Sequence, residues 1–358
     1  MVRQVAKKLA SLFCDEKIDV ICVLGGPYVG KSWLVNSCIS KDDKIMVFDD
    51  INSYDDFLKL VKAQRISHVK YIIIGRLLDE KCRQLVGEDK RIRYVNVYPM
   101  NFAEFRLAIP KNNCIEQMEM LKLYMLVGGL PEVVKVFLET GNIEKVRCKQ
   151  LQLLGKLEGQ MNRKERAIVK SVIVQEQCEA TGFFLSKLDR NARKREYAEV
   201  LSGLLDMGII EKQRRFAPKE NLEVRKYKLY IYDMGLYLAA IGIDIKSFMN
   251  CHKSWDKKLL YKFYLLDLRA YIDKSQDALM YWSRHKGKAN ISIIIKMKYG
   301  EDGLLFPIGI KEKVELLAKS TQVFIKEYDG VRPINVKIPS MEEVEDGQKL
   351  YDRIRNVT

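Results

Sequence analysis

The chain has 358 residues, of which 47% are hydrophobic and 30% charged, with a formal net charge of +15. A single core rarely outgrows about 250–300 residues, so two or three domains are expected. The balance excludes disordered, collagenous and disulfide-scaffold chains, and no apolar run reaches the ~18 residues that span a bilayer.

At the N-terminus Val5, Leu9, Leu12 and Phe13 have the spacing of an amphipathic helix rather than the apolar core of a signal peptide. Asp19–Leu24 is a short, β-branched apolar run and reads as a buried strand. It leads into Gly25-Gly26-Pro27-Tyr28-Val29-Gly30-Lys31-Ser32-Trp33, which fits G-x-x-x-x-G-K-[ST] in full before a helix at Lys31–Ile39. Glycines let backbone wrap around phosphate oxygens without Cβ clashes, and the first N–H groups of the helix point at the anion. In such a loop Lys31 reaches the β- and γ-phosphates and the Ser32 hydroxyl ligates Mg²⁺. The strand before it and the helix after it are the context the motif requires.

Lys44–Phe48 reads as a second buried strand, ending in Asp49-Asp50. Asp49 suits the Mg²⁺ and Asp50 the attacking water. Asp50 is one methylene shorter than the glutamate that does this work in hydrolysing enzymes, and misplacement by about 1 Å can cost a hundredfold. A second reading makes Asp49, Asp50, Asn52 and Ser53 caps of the helix at Tyr54–Gln64. A third strand, Val69–Ile74, ends in Gly75-Arg76, where a cation either stabilises charge on the γ-phosphate or is an exposed strand end. Tyr94–Val97 is a fourth strand. Strands separated by helices argue for a parallel sheet covered on both faces.

From Asn101 the pattern turns helical, interrupted at Gly128-Gly129-Leu130-Pro131. Residues 160–215 read as three helices, the last at Lys194–Met207, before a basic hairpin; helices followed by a hairpin suggest a winged helix. A helix at Leu259–Ile272 and strands at Asn290–Met297 and Leu304–Ile310 follow. Residues 1–140, 141–230 and 231–358 carry net charges of +3, +8 and +4. The central excess includes Arg193, Lys194, Arg195, Lys212, Arg214, Arg215, Arg225, Lys226 and Lys228, which would line duplex DNA phosphates if residues 193–228 form a recognition helix and wing. Otherwise the segment packs the helical region against the C-terminal part. The eight cysteines are scattered without a C-x-x-C pair, and three histidines form no ligand spacing. The expectation is reduced thiols in a cytoplasmic protein.

The segments GGPYVGKSWL (25–34), IMVFDDI (45–51), YIIIGR (71–76), VNVYPMNFAEF (95–105), LYMLVGGLPEVV (123–134) and YKLYIYDMGLYLAAIG (227–242) occur in an informative order, with YW (281–282) and PIGIK (307–311) after them. In this the chain resembles the prokaryotic AAA+ superfamily ATPases that carry a C-terminal restriction-endonuclease-like domain of unknown function. The resemblance implies an α/β fold: a P-loop NTPase parallel sheet at 1–105 with strand order 5-1-4-3-2, a helical lid at 106–160, a winged-helix-like segment at 161–230 and a small α/β nuclease-like domain at 231–358. It implies ATP and Mg²⁺ as ligands, with Gly25–Trp33 holding the nucleotide, Ser32 and Asp49 the metal, and Asp50 and Arg76 the catalytic positions. A protein partner or a second copy is implied, and no membrane.

The chain departs from that family in three places. Only about a dozen residues separate Ser32 from Ile45, too few for the usual extra edge strand. Arg76 replaces a small polar residue. Lys262, Ser292 and Gly309 stand where the nuclease-like domain has carboxylates, so cleavage is not expected; the cations Arg284, Lys286, Lys288, Lys311 and Lys313 remain for a phosphate backbone. Two functions follow: a slowly hydrolysing ATPase, or a nucleotide-dependent regulator that binds DNA or protein without turnover. No Asn-Lys-x-Asp guanine signature occurs.

Overall fold

A computed structural model describes residues 3–39, 44–51, 53–62, 69–76, 89–110, 115–177, 183, 194–217, 227–250, 257–272, 277–284, 289–297, 304–311, 319–337 and 344–356. Four strands, β1 (Val20–Gly25), β2 (Ile45–Ile51), β3 (Lys70–Gly75) and β4 (Ile92–Val97), form a parallel sheet in the order β2-β3-β1-β4. This is the order the resemblance implies, without its outermost strand. Side chains of a strand alternate between faces. Val20, Cys22, Leu24 and Ile73 therefore meet Phe57 and Val61 of the helix at Tyr54–Lys62 on one face. Ile21, Val23, Ile72 and Ile74 join the main core with Leu9 of the helix α1 (Gln4–Cys14) and Leu34 and Val35 of α2 (Lys31–Cys38).

One strand differs from expectation. β2 is not buried: Met46 and Val47 are each 42% exposed. Among the described residues it pairs only with β3. The missing neighbour has turned an interior strand into an edge.

The motifs that carry the resemblance interlock for stated physical reasons. Asn101 and Glu104 form a capping box on the helix Phe102–Ala108: the Asn101 side chain accepts from Glu104 N at 2.8 Å, and Glu104 Oε2 accepts from Asn101 N at 3.2 Å. Gly128 ends the helix Gln117–Val127 at φ 76°, and a Cβ there would lie 2.4 Å from Asp233 Oδ1. Asp233 caps the helix Met234–Ala240 by accepting from Leu236 N at 2.8 Å, and also accepts from Gly129 N at 2.7 Å. Gly129 O in turn accepts from Met100 N at 2.6 Å. Pro131 occupies the first turn of the next helix, Pro131–Thr140, where its missing N–H costs nothing. One buried carboxylate thus fixes three motifs that lie up to 133 residues apart in the chain, from Met100 to Asp233.

Helices follow at Ile143–Gln160, Arg163–Gln177 and Lys194–Asp206. The antiparallel hairpin of β5 (Ile210–Arg215) and β6 (Tyr227–Ile231) comes next. It is not a free wing. β5 pairs in parallel with β7 (Ala278–Ser283), so the hairpin extends a six-stranded sheet, β10-β9-β8-β7-β5-β6, with β8 (Asn290–Met297), β9 (Leu304–Lys311) and β10 (Ile334–Lys337). The sheet crosses the boundary expected at residue 230. Gln213 Nε2 donates to Met280 O at 3.0 Å and Ser292 O at 2.9 Å, and Arg215 donates to Ser283 O. Arg215 is 4% exposed, so its expected place on a DNA backbone is corrected: its guanidinium satisfies a sheet carbonyl. The helix Lys257–Leu268 packs on this sheet.

Asp267 on that helix ties the two sheets together. Its oxygens accept from Phe102 N at 2.7 Å and Gly347 N at 2.6 Å, and burial raises its carboxyl from 3.8 to about 7 despite those bonds. The folded state therefore holds this proton more tightly than the unfolded chain. The stabilisation is complete below about pH 4 and is lost as pH rises through 7. Measured by melting, the stability of the parent relative to Asp267→Asn should fall between pH 5 and pH 8, by about 3 °C or more for a chain of this size. A pH-independent difference would show that Asp267 is ionised throughout.

Candidate functional site

The glycine-rich loop connects the C-terminal end of β1 to the N-terminus of α2, in the middle of the parallel sheet. Gly30 takes φ 82°, and a Cβ there would lie 3.1 Å from Pro131 Cγ, so the start of the helix Pro131–Thr140 closes against the loop. Lys31 and Ser32 open α2, whose first N–H groups have no intrahelical partner. Trp33 is half exposed on the same turn.

Every described contact at the back of the loop is a donor meeting a carbonyl. Lys31 Nζ donates to Gly25 O at 3.1 Å and Gly26 O at 2.7 Å. Arg3 Nη1 donates to Val29 O at 3.2 Å. Tyr232 Oη donates to Pro27 O at 2.9 Å. An ammonium has three protons, so Lys31 keeps one for an anion beyond these two bonds. Burial depresses the Lys31 ammonium to about 8; Arg76 lowers it further while Asp49 and Asp50 oppose the shift. The structure thus brings Lys31, Asp49, Asp50 and Arg76 within one electrostatic neighbourhood.

Asp49 and Asp50 sit where the pairing of β2 with β3 breaks register between Phe48 and Ile51. Bulges of this sort re-aim side chains beside active sites. Asp50 has φ 60°, and its N–H donates to Asp49 Oδ1 at 2.7 Å. Tyr28 in the loop also has φ 60°, and among the described residues these are the two non-glycine positions with positive φ. Strain of this kind collects at functional sites, and both instances fall here. Asp49 and Asp50 are exposed on the edge strand, and at the start of the next helix Ser53 Oγ accepts from Asp56 N at 3.3 Å. Ser32 and Asp49 offer a hydroxyl and a carboxylate, oxygen donors of the kind Mg²⁺ takes.

Three residues outside the loop motif belong to this site and escaped the sequence reading. Arg3 is held at 5% exposure by Glu104 (3.2 Å) and by Tyr98 O (2.6 Å). Tyr232 is fixed by Arg269, whose Nη2 donates to Tyr232 O at 2.8 Å while Nη1 pairs with Glu211 at 2.8 Å. Pro131 is the third. Tyr232 and Pro131 lie inside motifs quoted above, but nothing in their spacing says that they touch the loop.

The remaining expected cations are placed differently. Lys212 lies 4.7 Å from the Tyr227 ring and Lys228 4.9 Å from the Tyr281 ring, and Arg284 pairs with Glu327 at 2.9 Å. Arg214 is exposed. Arg193, Arg225, Lys226, Lys286, Lys288 and Lys313 lie outside the described residues, as do the side chains of Lys194, Arg195 and Lys311. Lys262 is buried in an ion pair with Glu176 of the helix Arg163–Gln177. Burial pulls both groups toward neutrality and the pairing opposes it.

Residues 118–247 match a family described as a domain of unknown function, DUF8612. No curated protein sequence matches the chain. Among solved structures, the Walker-type ATPase PABY2304 of Pyrococcus abyssi is similar with a TM-score of 0.42 and 12% identity, over 66% of this chain and 94% of its own. The STAND protein PH0952 of Pyrococcus horikoshii, a signal-transduction ATPase with a tetratricopeptide repeat sensor, is similar with a TM-score of 0.28 and 15% identity. That likeness covers 75% of this chain and 45% of its own. Likeness at these scores assigns no activity; the loop and its surroundings have to carry it. Among the described residues no helix is long and apolar enough to cross a membrane.

The depressed Lys31 ammonium has a measurable consequence. A bound polyphosphate restores the opposite charge that burial denies it, so its pKa rises on binding. Near pH 8.5, where about a quarter of Lys31 is still protonated, ATP binding should take up about three quarters of a proton per site. Titration calorimetry in two buffers of different ionisation enthalpy reads this directly. Equal apparent enthalpies in both buffers would show that Lys31 is fully protonated beforehand or does not meet the phosphates.

Proposed function

We propose that the chain binds ATP with Mg²⁺ at the loop Gly25–Trp33 and hydrolyses it slowly. The observation that carries the reading is the loop itself: the full phosphate-binding motif between a central parallel strand and a helix, with the charges of Asp49, Asp50 and Arg76 felt by Lys31. Ser32 and Asp49 would hold the metal, which supplies charge neutralisation at the β- and γ-phosphates. Asp50 would orient the attacking water, and Arg76 would face the γ-phosphate. The missing guanine signature favours adenine.

A second reading, a nucleotide-dependent regulator without turnover, is favoured by one observation. The carboxylates lie on an exposed, bulged edge strand with no outer neighbour among the described residues, which positions Asp50 less firmly than an interior strand would. In either reading the partner is DNA, another protein or a second copy of the chain. With Arg215 buried in the sheet, the hairpin offers a duplex less charge than its sequence suggests, while Lys212 and Arg214 stay exposed. We assign no cleavage chemistry to the C-terminal module, where Ser292 and Gly309 supply no carboxylate.

Lys31→Ala should weaken Mg-ATP binding at least about tenfold, since it removes a charge-assisted contact, and should also lower the melting temperature, since Gly25 O and Gly26 O lose their donor. Equal affinity in parent and variant would remove the loop from the account. Asp50→Glu separates the two readings. If Asp50 is a shortened water-positioning group, steady-state phosphate release should rise by about tenfold, a fraction of what a 1 Å misplacement costs. Unchanged release with ATP still bound would favour the regulator.

A further inference from the structure

The outer edge of the first sheet is ready to pair. β2 bonds to β3 along one side, and among the described residues no strand pairs along the other. Alternate residues of a strand turn their N–H and C=O groups to the same neighbour. Lys44 O accepts from Lys70 N at 3.0 Å, so Lys44, Met46 and Phe48 face β3 while Ile45 and Val47 present their backbone groups outward. The stretch between them is apolar: Ile45-Met46-Val47-Phe48 contains no proline and no charge. Met46 and Val47, whose side chains point to opposite faces, are each 42% exposed. Apolar edges are normally blunted by a lysine, a proline or a bulge. Here the bulge comes only after the apolar stretch, between Phe48 and Ile51.

The order of residues along β2 says what covers it. Lys44 stands before the apolar stretch and Asp49 after it, and both are exposed. A second β2 laid alongside in the same direction would set lysine beside lysine and carboxylate beside carboxylate, and like charges opposite one another are destabilising. Laid antiparallel about a two-fold axis through Val47, it sets Val47 opposite Val47 of the other copy and Met46 opposite Phe48. The two outward-facing valines exchange their N–H and C=O groups, and Lys44 of each copy arrives at the carboxylate end of the other. The Asp49 carboxylate accepts from Asp50 N at 2.7 Å and has further lone pairs for an ammonium. We propose that the chain forms a two-fold dimer by antiparallel pairing of its β2 strands, joining two four-stranded sheets into one continuous sheet. Main-chain hydrogen bonds give such strand addition its affinity, and a self-complementary interface closes at two copies. Pairing gives β2, and the carboxylates at its end, the second neighbour of an interior strand. The inference does not rest on nucleotide binding at the glycine-rich loop.

The test is sedimentation of the full chain without nucleotide over roughly 1–100 μM, where a small interface associates. The mass should rise from one chain to two and stop there. Val47→Lys, which sets two ammoniums face to face at the axis, should weaken association at least about tenfold, with the far-ultraviolet circular dichroism of the parent. Lys44→Glu and Asp49→Lys should each weaken it as well. An equimolar mixture of those two variants should associate more tightly than either alone, because both ends of the mixed pair are then complementary. A chain that stays monomeric at the top of the range, association indifferent to Val47→Lys, growth beyond two chains, or a mixture no tighter than its components would each overturn the proposal.

Discussion

A loop that offers its N–H groups to a phosphate must turn its carbonyls the other way, and buried carbonyls need donors. Here the donors come from the whole length of the chain. Lys31 satisfies Gly25 O and Gly26 O from within the loop, Arg3 satisfies Val29 O from 26 residues upstream, and Tyr232 satisfies Pro27 O from 205 residues downstream. Much of the packing follows from this requirement. Arg3 can be buried because Glu104 pairs with it, and Glu104 is in place because it closes the capping box of Asn101. Tyr232 can reach the loop because Arg269 and the neighbouring Asp233 fix β6 and the helix after it.

The same residues join the loop to the second sheet. Tyr232 follows Ile231, whose N–H donates to Glu176 at 3.5 Å, and Glu176 pairs with Lys262 of the helix Lys257–Leu268. Asp267 bridges the cap at Phe102 to the helix Gly347–Arg355. Buried carboxylates serve as the connectors throughout. Each costs desolvation, which is offset in part: Asp233 and Asp267 each accept two backbone N–H groups, and Glu176 accepts one beside its ion pair with Lys262.

The sequence made the centre of the first sheet legible. A continuous β-branched run has few alternatives to a strand buried on both faces, and β1 and β3 lie within one residue of where they were expected. The loop was legible because its chemistry requires a fixed spacing. The exposure of β2 was not, since Ile45-Met46-Val47-Phe48 is apolar whether or not a neighbour covers it. The hairpin was seen as a hairpin, but its pairing with β7 depends on Gln213 and Arg215 finding carbonyls 67 to 79 residues away. Charge along the chain suggested a nucleic-acid surface; tertiary structure withdraws Arg215 from it to a sheet carbonyl. Arg3, Glu176 and Tyr232 were invisible for the same reason: single side chains whose partners are distant carry no local pattern.

Backbone hydrogen exchange on the full chain, with and without Mg-ATP, tests the central claim most directly. A phosphate seated in the loop and transmitted through its carbonyl donors should slow exchange in residues 25–33 and, with them, in residues 228–236 around Tyr232. Protection confined elsewhere, or no change at 25–33 with saturating nucleotide, would contradict the account.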